Sequence, residues 1–180
     1  MKTVALFGGS FDPPHIGHIE IVKKLQALPF IDDIVIMPTY LNPFKTKFHT
    51  SPQVRLHWLE KLYKDNPKVI VSDFEVKQAR KVPTYESVLY LQKKYDKIYI
   101  VIGADNIKTL HKWYNYEKLI QIATFIVAKR KGFEIPEDFL TIEVDINISS
   151  TQLREHMEKR FLPPKIANEI LKEYNGTKNK

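Results

Sequence analysis

His15 and His18 stand three positions apart, just after a glycine pair, in the string Gly8-Gly9-Ser10-Phe11-Asp12-Pro13-Pro14-His15-Ile16-Gly17-His18. The apolar run Val4-Ala5-Leu6-Phe7 stops abruptly at the glycines, as a buried strand does. Ile16, Ile19, Ile21, Val22 and Leu25 then recur at roughly helical spacing, so a helix is predicted to open near Pro13 or Pro14. Proline is tolerated there because first-turn N–H groups have no intrahelical partner, and Asp12 is placed to cap them. Residues three apart share a helix face, so both imidazoles project from that first turn. Free N–H groups and the positive dipole end converge on the same spot, which favours an anion. Two histidines over such an end point to phosphate chemistry. A zinc site would need a third ligand of suitable type and spacing, and none follows, so no metal site is assigned. A hydrolytic triad of Ser10, Asp12 and His15 lacks the G-x-S-x-G elbow that would frame its serine.

A second constellation is Ile148-Ser149-Ser150-Thr151-Gln152-Leu153-Arg154. Three hydroxyl residues before a helix are capping chemistry, and Ser149 with Gln152 fits a capping box. Arg154 lies about one turn in, able to reach an anion bound at the same helix end. Asp105, after Gly103, is suited either to cap a following helix or to meet a ligand. Trp113-Tyr114-Asn115-Tyr116-Glu117 sets aromatic rings among polar residues in a connection, where a stacking platform is plausible.

The elements that must position these residues alternate. Ile34–Met37, Val69–Val71, Ile98–Ile102 and Phe125–Ala128 read as buried strands after the first, with a short sixth expected over 142–144. Helices are predicted from Ser51-Pro52 onward (with Val54, Leu56, Leu59 and Leu62 as the apolar face), over 84–95 with Val88, Leu89 and Leu91 inward, and around 106–110 and 116–122. Two more close the chain, over 149–160 and 163–174. Residues 39–50 show no period and form a loop long enough to be functional or mobile. Strands with continuous apolar interiors, separated by helices, imply an α/β domain with a mostly parallel sheet covered on both faces. In such doubly wound folds ligands sit beyond the carboxyl ends of the strands where the order reverses, here between the strands ending at Gly8 and Gly103.

The 180 residues are read as one domain over 1–174 with a frayed tail over 175–180. With no cysteine, disulfides and thiolate-bound metals are excluded. No apolar run approaches membrane-spanning length, and 1–7 is too short for a signal peptide, so a cytoplasmic location is expected. The formal net charge of +7 suits small polyanionic substrates. No basic stripe with interleaved aromatics suggests nucleic acid, and a homo-oligomer is left open.

The 8–18 string resembles the G-[GT]-[ST]-F-D-P-x-H-x-G-H signature of the nucleotidyltransferase superfamily, in particular of bacterial nicotinate-mononucleotide adenylyltransferases. Ile148–Arg154 is similar to the I-S-S-T-x-[LIV]-R element that the superfamily applies to the ATP triphosphate. Gly103-Ala104-Asp105 resembles the G-x-D element that meets adenosine, and Trp113–Glu117 the W-Y-x-Y-E segment whose tryptophan stacks on the pyridine ring. Asn42-Pro43-Phe44-Lys45 aligns with a lid segment commonly P-P-H-K, with Phe44 in place of histidine and Lys45 retained. Thr84-Tyr85-Glu86 matches S-Y-T in part, so nicotinate contacts there are expected to run through backbone atoms. Arg130 fits a basic residue that follows the fifth strand in relatives.

The resemblance implies a Rossmann-like sheet of strand order 3-2-1-4-5 and adenylyl transfer from ATP to nicotinate mononucleotide, giving deamido-NAD and pyrophosphate. It assigns His15, His18, Lys45 and Arg154 to the reacting phosphates. Gly8, Gly9, Ser10, Phe11, Gly103, Asp105, Ile148, Ser149, Ser150 and Thr151 would bind ATP. Asn42, Thr84, Tyr85, Trp113 and Arg130 would bind the mononucleotide, with Mg²⁺ carried by the ATP phosphates. The pantetheine-phosphate enzyme typically has threonine where His15 stands and lacks the Trp113 segment. Glycerol-phosphate cytidylyltransferases carry R-T-E-G-I-S-T-T, where this chain has Asp145-Ile146-Asn147 before Ile148. A non-catalytic nucleotide sensor on the same fold is the alternative of a different class.

Overall fold

Alternating side chains of β1 (Thr3–Gly9) divide the core in two. Val4 and Leu6 face one layer with Val35, Val88, Leu91, Ile100 and Leu119, while Ala5 and Phe7 face the other with Val22, Leu25, Ile36 and Val101. A strand buried on both faces belongs inside a covered parallel sheet. The computed structural model, which describes residues 1–178, shows that sheet. Its order is β3-β2-β1-β4-β5-β6 and every neighbouring pair is parallel. The other strands are β2 (Asp33–Pro38), β3 (Val69–Val71), β4 (Lys97–Gly103), β5 (Thr124–Ala128) and β6 (Leu140–Ile142). The expected order 3-2-1-4-5 is therefore present with a sixth strand at the edge, two residues earlier than expected.

The helices are α1 (Ile16–Gln26), α2 (Pro52–Tyr63), α3 (Phe74–Gln78), α4 (Thr84–Leu91), α5 (Tyr116–Ile122), α6 (Ser150–Glu155) and α7 (Ala167–Lys178). Residues 104–112 and 159–161 are 3₁₀ turns. Ser51 caps α2 through its side chain, with Pro52 at the first helical position, as predicted. A third cluster joins α2, α6 and α7 through Trp58, Leu153, Ile166, Ile170 and Tyr174.

Several boundaries differ from expectation for tertiary reasons. Helix α4 stops at Leu91, and Leu89, expected inward, is 41% exposed. Helix α6 ends at Glu155 rather than Arg160. A continuous helix would carry Leu162 about 13 Å along the axis from Leu153, yet both are buried in the same cluster. The last helix begins at Ala167 and runs to Lys178, so much of the segment expected to fray is helical, and residues 179–180 lie outside the described residues. Helix α3 has no counterpart in the sequence reading.

Candidate functional site

At the carboxyl end of the sheet, the chain leaves β1 toward β2 on one side and β4 toward β5 on the other. Between them lies a cavity of about 420 Å³, within the range of small-molecule sites. Gly8, Gly9, His15 and His18 line it from the first strand and helix, Gly103 and Asp105 from the end of the fourth strand and the 3₁₀ segment after it, and Ile148, Ser149 and Ser150 from the second motif. Asn42, Thr84, Trp113 and Arg130 complete the predicted lining.

The histidine turn is built differently from the expectation. Helix α1 opens at Ile16, and its N-cap is His15, not Asp12. The His15 Nδ1 accepts from the Gly17 N–H at 3.1 Å, and the His18 Nδ1 accepts from the His15 N–H at 3.1 Å. The two rings form a reciprocal capping box, stacked with centroids 3.6 Å apart. Helix-terminal N–H groups that were expected to face an anion are thus taken by imidazole nitrogens. With both Nδ1 lone pairs engaged, a neutral ring carries its proton on Nε2. Each histidine therefore offers one Nε2–H donor, polarised from behind by a backbone N–H at the positive end of the helix. Burial, with Arg130 adding to it, lowers the His15 pKa to about 4. Burial and the neighbouring His15 likewise hold His18 well below its ordinary value.

Gly17 makes this stacking sterically feasible, since a Cβ there would lie 2.8 Å from His15 Cε1 and 3.4 Å from Ile148 Cγ2. Nothing comparable operates at Gly8, where an added Cβ would meet the Met37 carbonyl oxygen at an ordinary 3.7 Å. Phe11, placed among the nucleotide contacts by sequence, has a buried side chain that lines neither cavity. With φ at +50°, its ring is set edge-on against His18 at 4.8 Å, so it buttresses the imidazole.

Asp12 is buried and accepts from the His49 N–H at 2.8 Å, the Thr50 N–H at 3.1 Å and the Tyr174 hydroxyl. Its carboxylate therefore pins the far end of the 39–50 loop instead of capping a helix. The second motif is seated directly on this turn. Arg154 Nη1 donates to the Asp12 carbonyl oxygen at 2.6 Å, and Ser150 Oγ donates to that of Pro13 at 2.8 Å. Ser149 and Gln152 form the predicted capping box. Lys45 Nζ lies 3.4 Å from Ser10 Oγ, and with Arg154 it lines a small adjoining pocket. Partial burial, then the nearby Arg154, lower the Lys45 pKa.

The remaining predicted residues divide by location. Thr151 lines neither pocket, its Oγ1 accepting from Arg154 Nη2 at 3.2 Å. Tyr85 also lines neither, packing edge-on against Tyr114 at 6.2 Å. Trp113 presents a half-buried ring to the main cavity, braced by Phe125. Arg130, whose Nε donates to Asn147 Oδ1 at 3.3 Å, stands close enough to act on His15.

Residues 6–156 match the cytidylyltransferase-like family. The chain belongs to that family. It is 51% identical over 170 residues to a Sulfurimonas denitrificans protein described as "Probable nicotinate-nucleotide adenylyltransferase", covering 94% of this chain and 93% of that one. A Nitratiruptor protein of the same description is 50% identical over 175 residues, covering 96% and 99%. The fold is similar to Plasmodium falciparum nicotinic acid mononucleotide adenylyltransferase complexed with NaAD, with a TM-score of 0.79 at 22% identity over 97% of both chains.

Two residues of this cytidylyltransferase-like site were not found from sequence. Arg55, fully buried on α2, donates to the carbonyl oxygens of Ser10, Thr39, Tyr40 and Thr50 at 2.6, 2.9, 3.0 and 3.0 Å. A cation on the same helix stripe as Trp58 and Leu59 was the signal available for it. Glu75 on α3 is buried, lines the main cavity, and accepts from Ser87 Oγ at 2.7 Å. It lies in a helix that left no clear period.

Proposed function

We propose that this chain transfers the adenylyl group of ATP to nicotinate mononucleotide, giving deamido-NAD and pyrophosphate. The observation that carries the reading is the seating of the second motif on the first, Arg154 and Ser150 on the carbonyls of Asp12 and Pro13. In this reading the polyphosphate runs from the main cavity, lined by His15 and His18, to the adjoining pocket lined by Lys45 and Arg154, and relatives at 50% and 51% identity bear the corresponding description.

The mononucleotide 5′-phosphate attacks the ATP α-phosphorus in line, one P–O bond forms, and the bond to pyrophosphate breaks. A phosphate oxygen is already nucleophilic, so no base and no covalent enzyme intermediate is needed. The protein contributes position, roughly 7–11 kcal/mol in favourable cases, and stabilisation of developing charge. His18 and His15 donate from Nε2 to the α-phosphate and its neighbour, and burial, which lowers both pKa values, keeps them neutral donors. Lys45 and Arg154 hold the departing pyrophosphate. Gly8 and Gly9 line the cavity without side chains, so the nucleotide can approach the backbone there. Trp113 offers a face to the pyridine ring.

Mg²⁺ enters this reading bound to phosphate oxygens and water. The donor set suits that arrangement: among the described residues no group of three His, Cys, Asp or Glu could hold a metal, and Asp12 is committed to protein donors. When bound, the ion neutralises charge on the leaving pyrophosphate.

The test is pyrophosphate release from ATP with three acceptors: nicotinate mononucleotide, its amide, and phosphopantetheine. Turnover with a pyridine mononucleotide is expected, and turnover with phosphopantetheine alone would replace the assignment. Tight ATP binding without pyrophosphate release from any acceptor would favour a nucleotide sensor.

A further inference from the structure

The buried carboxyl group of Glu75 has no part in the phosphate chemistry, yet it lines the same cavity as Trp113 and Thr84. Glu75 Oε1 is fixed by Ser87 Oγ at 2.7 Å. Ser87 lies three residues after Thr84 on α4, so the two share a face and Glu75 stands within about one helical turn of the α4 N-terminus. No side chain caps that end, and the first N–H taken within it is that of Glu86, by the Pro83 carbonyl at 3.0 Å. The Trp113 ring assigned above to the pyridine lines the same cavity. We propose that Glu75 is the specificity-determining residue for the ring substituent: neutral, it donates to a pyridine carboxylate; ionised, it accepts from the N–H of a carboxamide. This inference rests on the adenylyl-transfer reading and assigns the acid-versus-amide preference to one group.

Electrostatics favours such a switch. Burial raises the Glu75 pKa to about 7, Glu86 adding to the rise and the Ser87 bond opposing it. Glu86 on α4 is itself paired with Arg80 at 2.6 Å. Asp73, just before α3, pairs with Lys77 on that helix at 2.9 Å on the solvent side. Strand β2, packed on α3, lines the cavity with Met37. Helix α2, also against α3, carries Arg55 and Lys61, which are engaged with backbone carbonyls and Glu169 respectively, and exposed His57 and Glu60. An acid mononucleotide meeting ionised Glu75 takes up one proton from solvent on binding, whereas the amide takes up none.

The experiment measures kcat/KM for the acid and amide mononucleotides from pH 6 to pH 8 in wild type and Glu75→Gln. Both substrates carry the same phosphate, so its titration cancels in the acid-to-amide ratio. With a carboxyl titrating at about 7 the wild-type ratio is expected to fall by up to about 100-fold across that range, tenfold from each substrate. Glu75→Gln, which cannot ionise but can still accept from Ser87, is expected to hold a pH-independent ratio. Parallel pH slopes in the two proteins, or equal losses with both substrates at every pH, would show a purely structural Glu75 and overturn the inference alone. A flat wild-type ratio overturns it without recourse to the variant. Failure of the wild type to release pyrophosphate with either mononucleotide overturns the adenylyl-transfer reading, and this inference with it.

Discussion

At the level of single residues, the site turns on which nitrogen of each imidazole faces the ligand. Backbone N–H groups hold both Nδ1 atoms, so both Nε2–H bonds point away from the turn as donors. His18→Ala is expected to lower kcat by about 10²-fold, with a folded protein by circular dichroism; near-normal turnover would remove His18 from the reaction. The same geometry makes the turn acid-sensitive. His15 titrates at about 4 in the fold and at the ordinary 6.5 when unfolded. The unfolded chain therefore binds more protons in between, and stability present above pH 6.5 is lost as pH falls toward 4. The expected loss from His15 is on the order of 3 kcal/mol, read from denaturant melts at pH 7 and pH 4. His15→Asn, still able to cap, is expected to flatten that portion of the profile.

At the level of elements, the 39–50 loop is clamped at both ends and open between them. Arg55 holds the carbonyls of Thr39, Tyr40 and Thr50, while Asp12 holds the N–H groups of His49 and Thr50. Asn42, Pro43 and Phe44 line the main cavity from the intervening stretch, with Phe44 63% exposed. Such a segment can fold over substrate while its ends stay fixed. Bound ATP plus mononucleotide is expected to slow proteolysis within 42–48 severalfold, and equal cleavage with and without ligands would count against closure. Arg55→Lys keeps the charge but lacks the planar fork needed for four carbonyls. It is expected to cost about 2 kcal/mol and to raise the ATP KM, since Ser10 and the loop base are released together. Unchanged melting would show that the clamp is dispensable.

At the level of the whole molecule, one parallel sheet brings residues from both ends of the chain to a single edge. Arg154 reaches Asp12, and Tyr174 on the last helix reaches the same residue. No helix among the described residues is long and apolar enough to cross a membrane. Because the proposed Mg²⁺ arrives with the nucleotide, a chelator is expected to abolish adenylyl transfer yet leave the melting temperature of the free protein unchanged. A drop in that temperature would reveal a resident metal instead.

Local order was legible where a pattern is local. Apolar runs marked β1 to β5, the Ser149–Gln152 capping box was readable from spacing, and Pro52 behind Ser51 marked the start of α2. Strings 8–18 and 148–154 carried the residue types proposed to handle phosphate. Only the tertiary structure decided that His15, not Asp12, caps α1, because the Asp12 carboxylate is taken by a loop and a helix far away in sequence. It also decided that Phe11 supports His18 from below and that Arg55 and Glu75, charged residues in a buried setting, belong to the site. Hydrophobic periodicity reports which face a residue shares, whereas a buried charge is defined by the partners that satisfy it, and those partners meet only when distant segments pack.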